Sequence, residues 1–466
     1  MPVHVIDSLF FRDLYGTPEM RAVFDDLTLL QKWLDYEAAL ARAEASVGLV
    51  PEAAAQQITR AAVAEKMDAE AIKRGVDRTV HPLVSVIWQL SHLCEGDAGR
   101  YVHWGATTQD VMDTALILQI KDAYPLFEGA LERLMVALRT LAMDHRDTVM
   151  AGRTHGQQAL PITFGFKVAV WLAEIQRHTE RLAEGRPRVL VGEFGGAVGT
   201  LAGVAEQGLA IQARLMQELG LGIPPIAWHT ARDGLTQFAT TLCMITATLG
   251  KIAHEVIDLQ KVEFGEVEEP FEMGKIGSST MPQKRNPMLC EAILTLTRLT
   301  RAQASVAVDA MFHEHERDWS SVQMEWEYIP ELCVMTHAAM TLTSRVLEGL
   351  HVYPEAMMRN LSAGGGLLMA ERVMLALGEQ IGRQDAHDVI YGAAMHAYEL
   401  NLPFALALKN DPRVMAYLSP GEIDALLDPA SYTGLSATFV DRVAGSAPLE
   451  GAAAERSDGV AANDGG

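Results

Sequence analysis

Cysteine is scarce: Cys94, Cys243, Cys290 and Cys333 are the only four in 466 residues, and no two form a CxxC pair. That spacing excludes a disulfide framework and a cysteine zinc site, and it suits a reducing compartment. Basic residues are also few. Lys+Arg total 38 against 60 Asp+Glu, for a formal charge of −22, and no long basic run offsets the excess. Such a chain repels nucleic acid and anionic membrane. No stretch reaches roughly 18 consecutive apolar residues, the length a spanning helix needs. The start, MPVHVIDSLFFRDLYG, has no basic segment leading into an apolar one. The expectation is a cytoplasmic protein without a secretory signal. Alternating period-2 runs are rare too, so few strands are expected.

What is present is helical rhythm. With 49% hydrophobic and 21% charged residues, the chain can bury a large core divided among several domains. Leu27, Leu30, Leu34, Ala38, Ala41 and Ala45 recur at three and four residues before Gly48 and Pro51 punctuate the run. The same rhythm carries Leu116, Ile120, Phe127, Leu131, Leu134, Leu138 and Leu141, with Pro125 placed to kink it or to start a fresh turn. Residues 161–182, 235–259 and 287–347 read as further helices. Helices this long need parallel partners, which favours a bundle and side-by-side oligomers. From residue 445 onward apolar periodicity stops, and a disordered tail is expected.

Three segments between helices carry chemistry. GSSTMPQKRNP (277–287) offers Ser278 and Ser279, then Lys284, Arg285 and Asn286. Its backbone N–H groups can stabilise an anion, and Lys284 and Asn286 can bind a carboxylate by charge and by amide. Taken alone it also reads as a basic surface loop with a helix cap. GRTHGQQALP (152–161) places His155 beside Thr154, Gln157 and Gln158, either a proton-transfer group or a hydrogen-bonded structural histidine. HWGATTQDVMDT (103–114) puts His103, Thr107, Thr108, Gln109 and Asp110 ahead of a helix. That pattern grips an anion through side chains and helix dipole, or caps the helix in the ordinary way through Asp110 or Thr108. HEHER (313–317) lacks HExxH spacing, so no metal is expected. GEFGGAVGT (192–200) is neither a GxGxxG after a strand nor a P-loop, so no nucleotide cradle is expected.

Together and in this order, the three segments resemble the fumarase/aspartase superfamily, whose signature loop GSSTMPQKRNP closely matches. The resemblance covers roughly residues 8 to 444. It implies an all-α, three-domain fold with a long central helical bundle, set in a homotetramer whose active sites each draw on three subunits. The implied domains are 1–111, 112–360 and 361–444, followed by the tail 445–466.

The implied chemistry is β-elimination from a succinyl-type substrate, needing no cofactor and no metal. Ser278 becomes the base, Lys284 and Asn286 stabilise the aci-carboxylate intermediate, and Thr107, Thr108 and Gln109 bind a substrate carboxylate. Thr154 and His155 sit near the leaving group. Glu291 pairs with His155, while His103 and Arg317 complete the substrate contacts. The flanking sequence, including WHTARD and EWEYIP, is most similar to 3-carboxy-cis,cis-muconate cycloisomerases. Those enzymes typically lack both His155 and Glu291, so a lyase releasing a nitrogen-linked group as fumarate forms is expected ahead of a cycloisomerase. Adenylosuccinate lyase is the other near resemblance. Against it, Trp326 stands where an arginine for the nucleotide phosphate is expected. A non-catalytic structural role, for which this superfamily has been recruited, is opposed by the intact Ser278, His155, Lys284 and Asn286.

Overall fold

The computed structural model describes residues 4–271, 281 and 283–445. Ser278 and Ser279 of the signature loop and the tail from residue 446 lie outside them. The chain divides into two compact units. The first combines Met1–Leu134, Ile175–Ile257 and Phe271–Val346, and the second combines Met135–Glu174, Asp258–Pro270 and Leu347–Gly466.

In the first unit, helix α1 spans Asp26–Ser46, started by the Asp25 carboxylate, which accepts the Thr28 N–H at 2.8 Å. Leu30, Leu34, Ala38 and Ala41 are buried as the spacing predicts, whereas Leu27, on the first turn, is 57% exposed. Gly48, at φ 76°, supplies the left-handed stop. Helix α2, Thr108–Asp144, is a single element of 37 residues with Pro125 inside it. At 1.5 Å per residue it extends about 55 Å. Val111, Ala115, Ile120, Phe127, Leu131 and Leu134 line its buried face.

The expected helix over 161–182 begins later than its spacing suggests. Val149–Thr154 (β1) and Gln157–Thr163 (β2) form an antiparallel hairpin, and α3 runs only from Phe164 to Val189. Pro161 is thus a strand residue, paired with Ala151. Helix α4 covers Asp233–Gln260. The long run over 287–347 is two helices, α5 Met288–Asp309 and α6 Trp319–Glu348, parted by the HEHER segment.

The second unit holds the β1–β2 hairpin and a short pairing of Val267–Glu268 (β3) with His351–Val352 (β4). A helical core lies within it, where Val373, Leu377, Ala386, Ile390, Phe404, Leu408 and Ile423 pack together. Among the described residues, no single helix is long and apolar enough to cross a membrane.

Candidate active site

At the start of α2, one carboxylate ties three loops together. Asp110 Oδ1 accepts the Gly195 N–H at 3.0 Å and His229 Nε2–H at 2.7 Å. Its Oδ2 accepts the N–H groups of Thr107 at 2.9 Å and Gly196 at 3.0 Å. Neither Asp110 nor Thr108 is the N-cap that one reading of the segment expects. The helix starts at Thr108, and Asp110, its third residue, reaches back to the Thr107 N–H as in a capping box while also holding the GEFGG and WHTARD loops. The packing is tight here: a Cβ on Gly195 would lie 3.0 Å from both Gly199 Cα and His229 Cε1.

Asp110, Glu193 and His229 are close enough to suggest a metal trio. Four donors already occupy Asp110, so the group is a hydrogen-bond hub with little left to offer a cation. Burial, and then the Asp110 charge, push the Glu193 carboxyl up to about 9, so it is neutral at physiological pH.

Thr107 and Thr108 are half-buried. The His81 ring accepts the Val84 N–H at Nδ1, which leaves Nε2–H to donate to Thr108 Oγ1 at 3.2 Å. His103 Nδ1–H meets the fully buried Glu37 at 2.6 Å. Burial lowers the His103 pKa, but Glu37, by charge and by hydrogen bond, and Asp110 more than reverse this and raise it. The helix start thus gathers hydroxyls, a helix dipole and a cation-favouring histidine, a setting suited to a carboxylate.

Arg317 joins the same cluster, with its Nε–H donating to Gln109 Oε1 at 2.8 Å. Arg317 Nη2 is buried and has no hydrogen-bond partner among the described residues, and the same holds for both ring nitrogens of His313. Behind Gln109 runs a buried charge chain. Gln109 Nε2 donates to Asp113, Asp113 accepts two N–H groups of Arg232, and Arg232 donates in turn to Glu325. Arg232 is fully buried, and its guanidinium stacks 4.8 Å from the Trp228 ring centre.

In the second unit, Thr154 pairs with Gln157, leaving His155 and Gly156 as a two-residue connection at φ 52° and 75°. Two successive positive φ values are the mark of a type I′ hairpin turn. Histidine in this conformation costs about 1–2 kcal/mol. Thr154 and His155 are exposed. One residue before Thr154, Arg153 makes a two-pronged pair with the buried Glu266, which Asn360 also contacts.

Lys284 and Glu291 are exposed in the first unit, Asn286 is half-buried there, and Glu291 lies on the first turn of α5. The structure therefore gathers His103, Thr107, Thr108, Gln109 and Arg317 in one place, and sets Thr154 and His155 on the hairpin of the other unit.

Sequence reasoning passed over Glu37, His81, Asp113, Glu193, His229, Arg232, Arg153, Glu266 and Glu325 as site residues. Some of these stand in segments whose resemblance was noted, WHTARD and EWEYIP among them. Their partners are too distant in the chain to be read from spacing, Asp113 to Arg232 being 119 residues apart.

A family model described as "Lyase" matches residues 15–300, and one described as "Adenylosuccinate lyase C-terminus" matches residues 366–443. The chain belongs to the fumarase/aspartase superfamily. As a member it is a lyase-family enzyme, and the expected fold class holds. It is 42% identical over 443 residues to the N-acetyl-S-(2-succino)cysteine lyase of Dickeya dadantii, covering 95% of this chain and 97% of that one. To the 3-carboxy-cis,cis-muconate cycloisomerase of Pseudomonas aeruginosa it is 43% identical over 426 residues, covering 91% and 93%. The crystal structure of a fumarate lyase from a Mesorhizobium species superposes with a TM-score of 0.87 at 40% identity, over 93% of this chain and 99% of that one.

Proposed function

We propose that this superfamily member eliminates a heteroatom-linked group from a 2-substituted succinate and releases fumarate. The observation that carries the reading is the cluster at the start of α2. There Arg317 is held by Gln109 beside Thr107 and Thr108, with a buried guanidinium nitrogen that has no hydrogen-bond partner among the described residues. A buried donor of that kind is matched by a carboxylate.

In this scheme Ser278 removes the proton next to one carboxylate, and the electron pair enters that carboxylate as an aci-dianion. Lys284 and Asn286 stabilise the dianion. The bond to the leaving atom then breaks as His155 supplies a proton, and Glu291 orients the imidazole. In this scheme the protein is a homotetramer with shared sites, Thr154 and His155 coming from a different subunit than the anion-binding helix start. The leaving atom is nitrogen, or sulfur as in the compound for which the Dickeya relative is named. Trp326 packs edge-on against Trp319 at 5.3 Å and adds no cation for a nucleotide phosphate, which disfavours adenylosuccinate.

The test is fumarate release from a panel of N- and S-linked succinyl adducts, adenylosuccinate, nitrosuccinate and carboxymuconate. Fumarate from one succinyl adduct supports the reading and identifies the leaving atom. Lactone from carboxymuconate with no fumarate from any adduct would replace it with the cycloisomerase reading.

A further inference from the structure

We infer that Gln109 does not touch substrate: it is a positioning residue that holds Arg317, and the Asp113–Arg232–Glu325 chain holds Gln109. The inference rests on the proposed function in one respect, that Arg317 binds a substrate carboxylate.

The argument is one of hydrogen-bond capacity. A primary amide has two N–H donors and one oxygen acceptor. Gln109 has no exposed surface. Its Nε2 donates to Asp113 Oδ2 at 3.1 Å and to the His229 carbonyl at 2.8 Å, so both donors are spent. Only Oε1 remains, and it accepts Arg317 Nε–H at 2.8 Å. A carboxylate can only accept, so Gln109 has nothing to give it. The amide cannot be turned round either, since Asp113 and the His229 carbonyl need donors and Arg317 needs an acceptor.

The remaining links explain why the amide stays in place. Asp113 receives Arg232 Nη1 at 2.7 Å and Nη2 at 2.9 Å, and Arg232 Nε donates to Glu325 at 2.8 Å. Arg232 and Glu325 show no exposed side-chain surface, and Asp113 shows 2%. One cation between two carboxylates leaves a net negative charge in a buried place, and Arg317 on the far side of the neutral amide offsets it. Gln109 thus fixes one edge of the Arg317 guanidinium while Nη2 has no hydrogen-bond acceptor among the described residues. That is the arrangement of a preset anion clamp.

The experiment is a double-mutant cycle on the full chain in its native assembly. Calorimetric binding of fumarate and of succinate is compared for wild type, Gln109→Asn, Arg317→Ala and the double variant. Gln109→Asn keeps the amide but shortens its reach. It is expected to weaken binding roughly tenfold, the scale of a lost hydrogen bond to a charged group. In the Arg317→Ala background the same change is expected to have no further effect. With a turned-over substrate, the Gln109→Asn loss should appear in KM more than in kcat. Melting curves check the fold, and Gln109→Leu, apolar and of similar size, serves if the asparagine variant does not fold.

Additive losses in the cycle would show direct contact and overturn the inference, as would unchanged affinity in both Gln109 variants. Wild type that binds neither dicarboxylate, or Arg317→Ala that binds as wild type does, would overturn the assignment of Arg317 itself and the inference with it.

Discussion

Arg153 and Glu266 form a two-pronged ion pair, Nη1 to Oε2 at 3.0 Å and Nη2 to Oε1 at 2.6 Å, with Glu266 fully buried. Asn360 Nδ2 donates to the same carboxylate at 2.7 Å, and Gln158 Nε2 donates to the Asn360 carbonyl at 2.7 Å. Both sides of the hairpin are thus anchored just short of the turn that carries His155.

Glu266→Gln keeps the shape and removes the charge, leaving Arg153 partly unpaired. The expected cost is about 1–3 kcal/mol of stability, read as a lower melting temperature. A fall in kcat larger than any rise in KM is expected with it, because the anchored residue is proposed to move a proton. A variant with wild-type melting and turnover would remove the anchor from the account.

Ser278→Ala is expected to abolish turnover and leave the oligomer intact, as judged by steady-state kinetics and light scattering. Glu291→Gln should reduce kcat less than His155→Gln, since the carboxylate orients and the imidazole transfers. An equal or larger loss from Glu291→Gln would assign that residue a different role.

The histidine at the helix start makes a prediction about pH. His103 has its pKa raised above the ordinary 6.5, although burial alone would lower it, because Glu37 and Asp110 outweigh burial. The protonated pair therefore contributes stability that is complete below the unfolded pKa and fades as pH rises through the folded one. Glu37→Gln should lower the melting temperature most near about pH 5.5, with the gap to wild type narrowing toward about pH 8.5. A gap that widens with pH would contradict the pairing.

Glu44 is a liability of the opposite kind. It is fully buried, and neither carboxyl oxygen has a hydrogen-bond partner among the described residues. Burial, and then the Glu37 charge, raise its pKa to about 9. The folded state keeps a proton that the unfolded chain has released, so stability falls as pH climbs from the ordinary carboxyl range toward about 9. Glu44→Met should raise the melting temperature, with a gain of order 1–2 kcal/mol that is larger at about pH 8 than at about pH 5. Thermal melts at the two pH values check it.

Long helices were legible from spacing because their periods are local: α1 and α2 stand where their leucines and alanines repeat. The β1–β2 hairpin was not. Its turn is His155–Gly156 in place of the Asn-Gly or Asp-Gly that marks such turns, and the apolar stretch 159–162 of β2 is parted from α3 by Thr163 alone. Among site residues, Thr107 and Thr108 stood out as hydroxyls at a helix start and Arg317 was reached through resemblance; the structure ties Arg317 to Gln109, the next residue after them. Gln109 looked like a ligand because it stands next to two threonines. Asp113 lies one turn along the same helix, but the other two partners come from far along the chain, His229 from 120 residues away and Arg317 from 208, and no local pattern displays those.

The fully buried Arg232 has a consequence for how such sequences can change. Losing the guanidinium alone strands two carboxylates, and losing either carboxylate alone upsets the balance of the other two groups. Asp113, Arg232 and Glu325 can therefore drift only as a set, through intermediates less stable than either end. Relatives should carry all three or none. A relative that has exchanged the set for apolar side chains should also hold its counterpart of Arg317 by some other means.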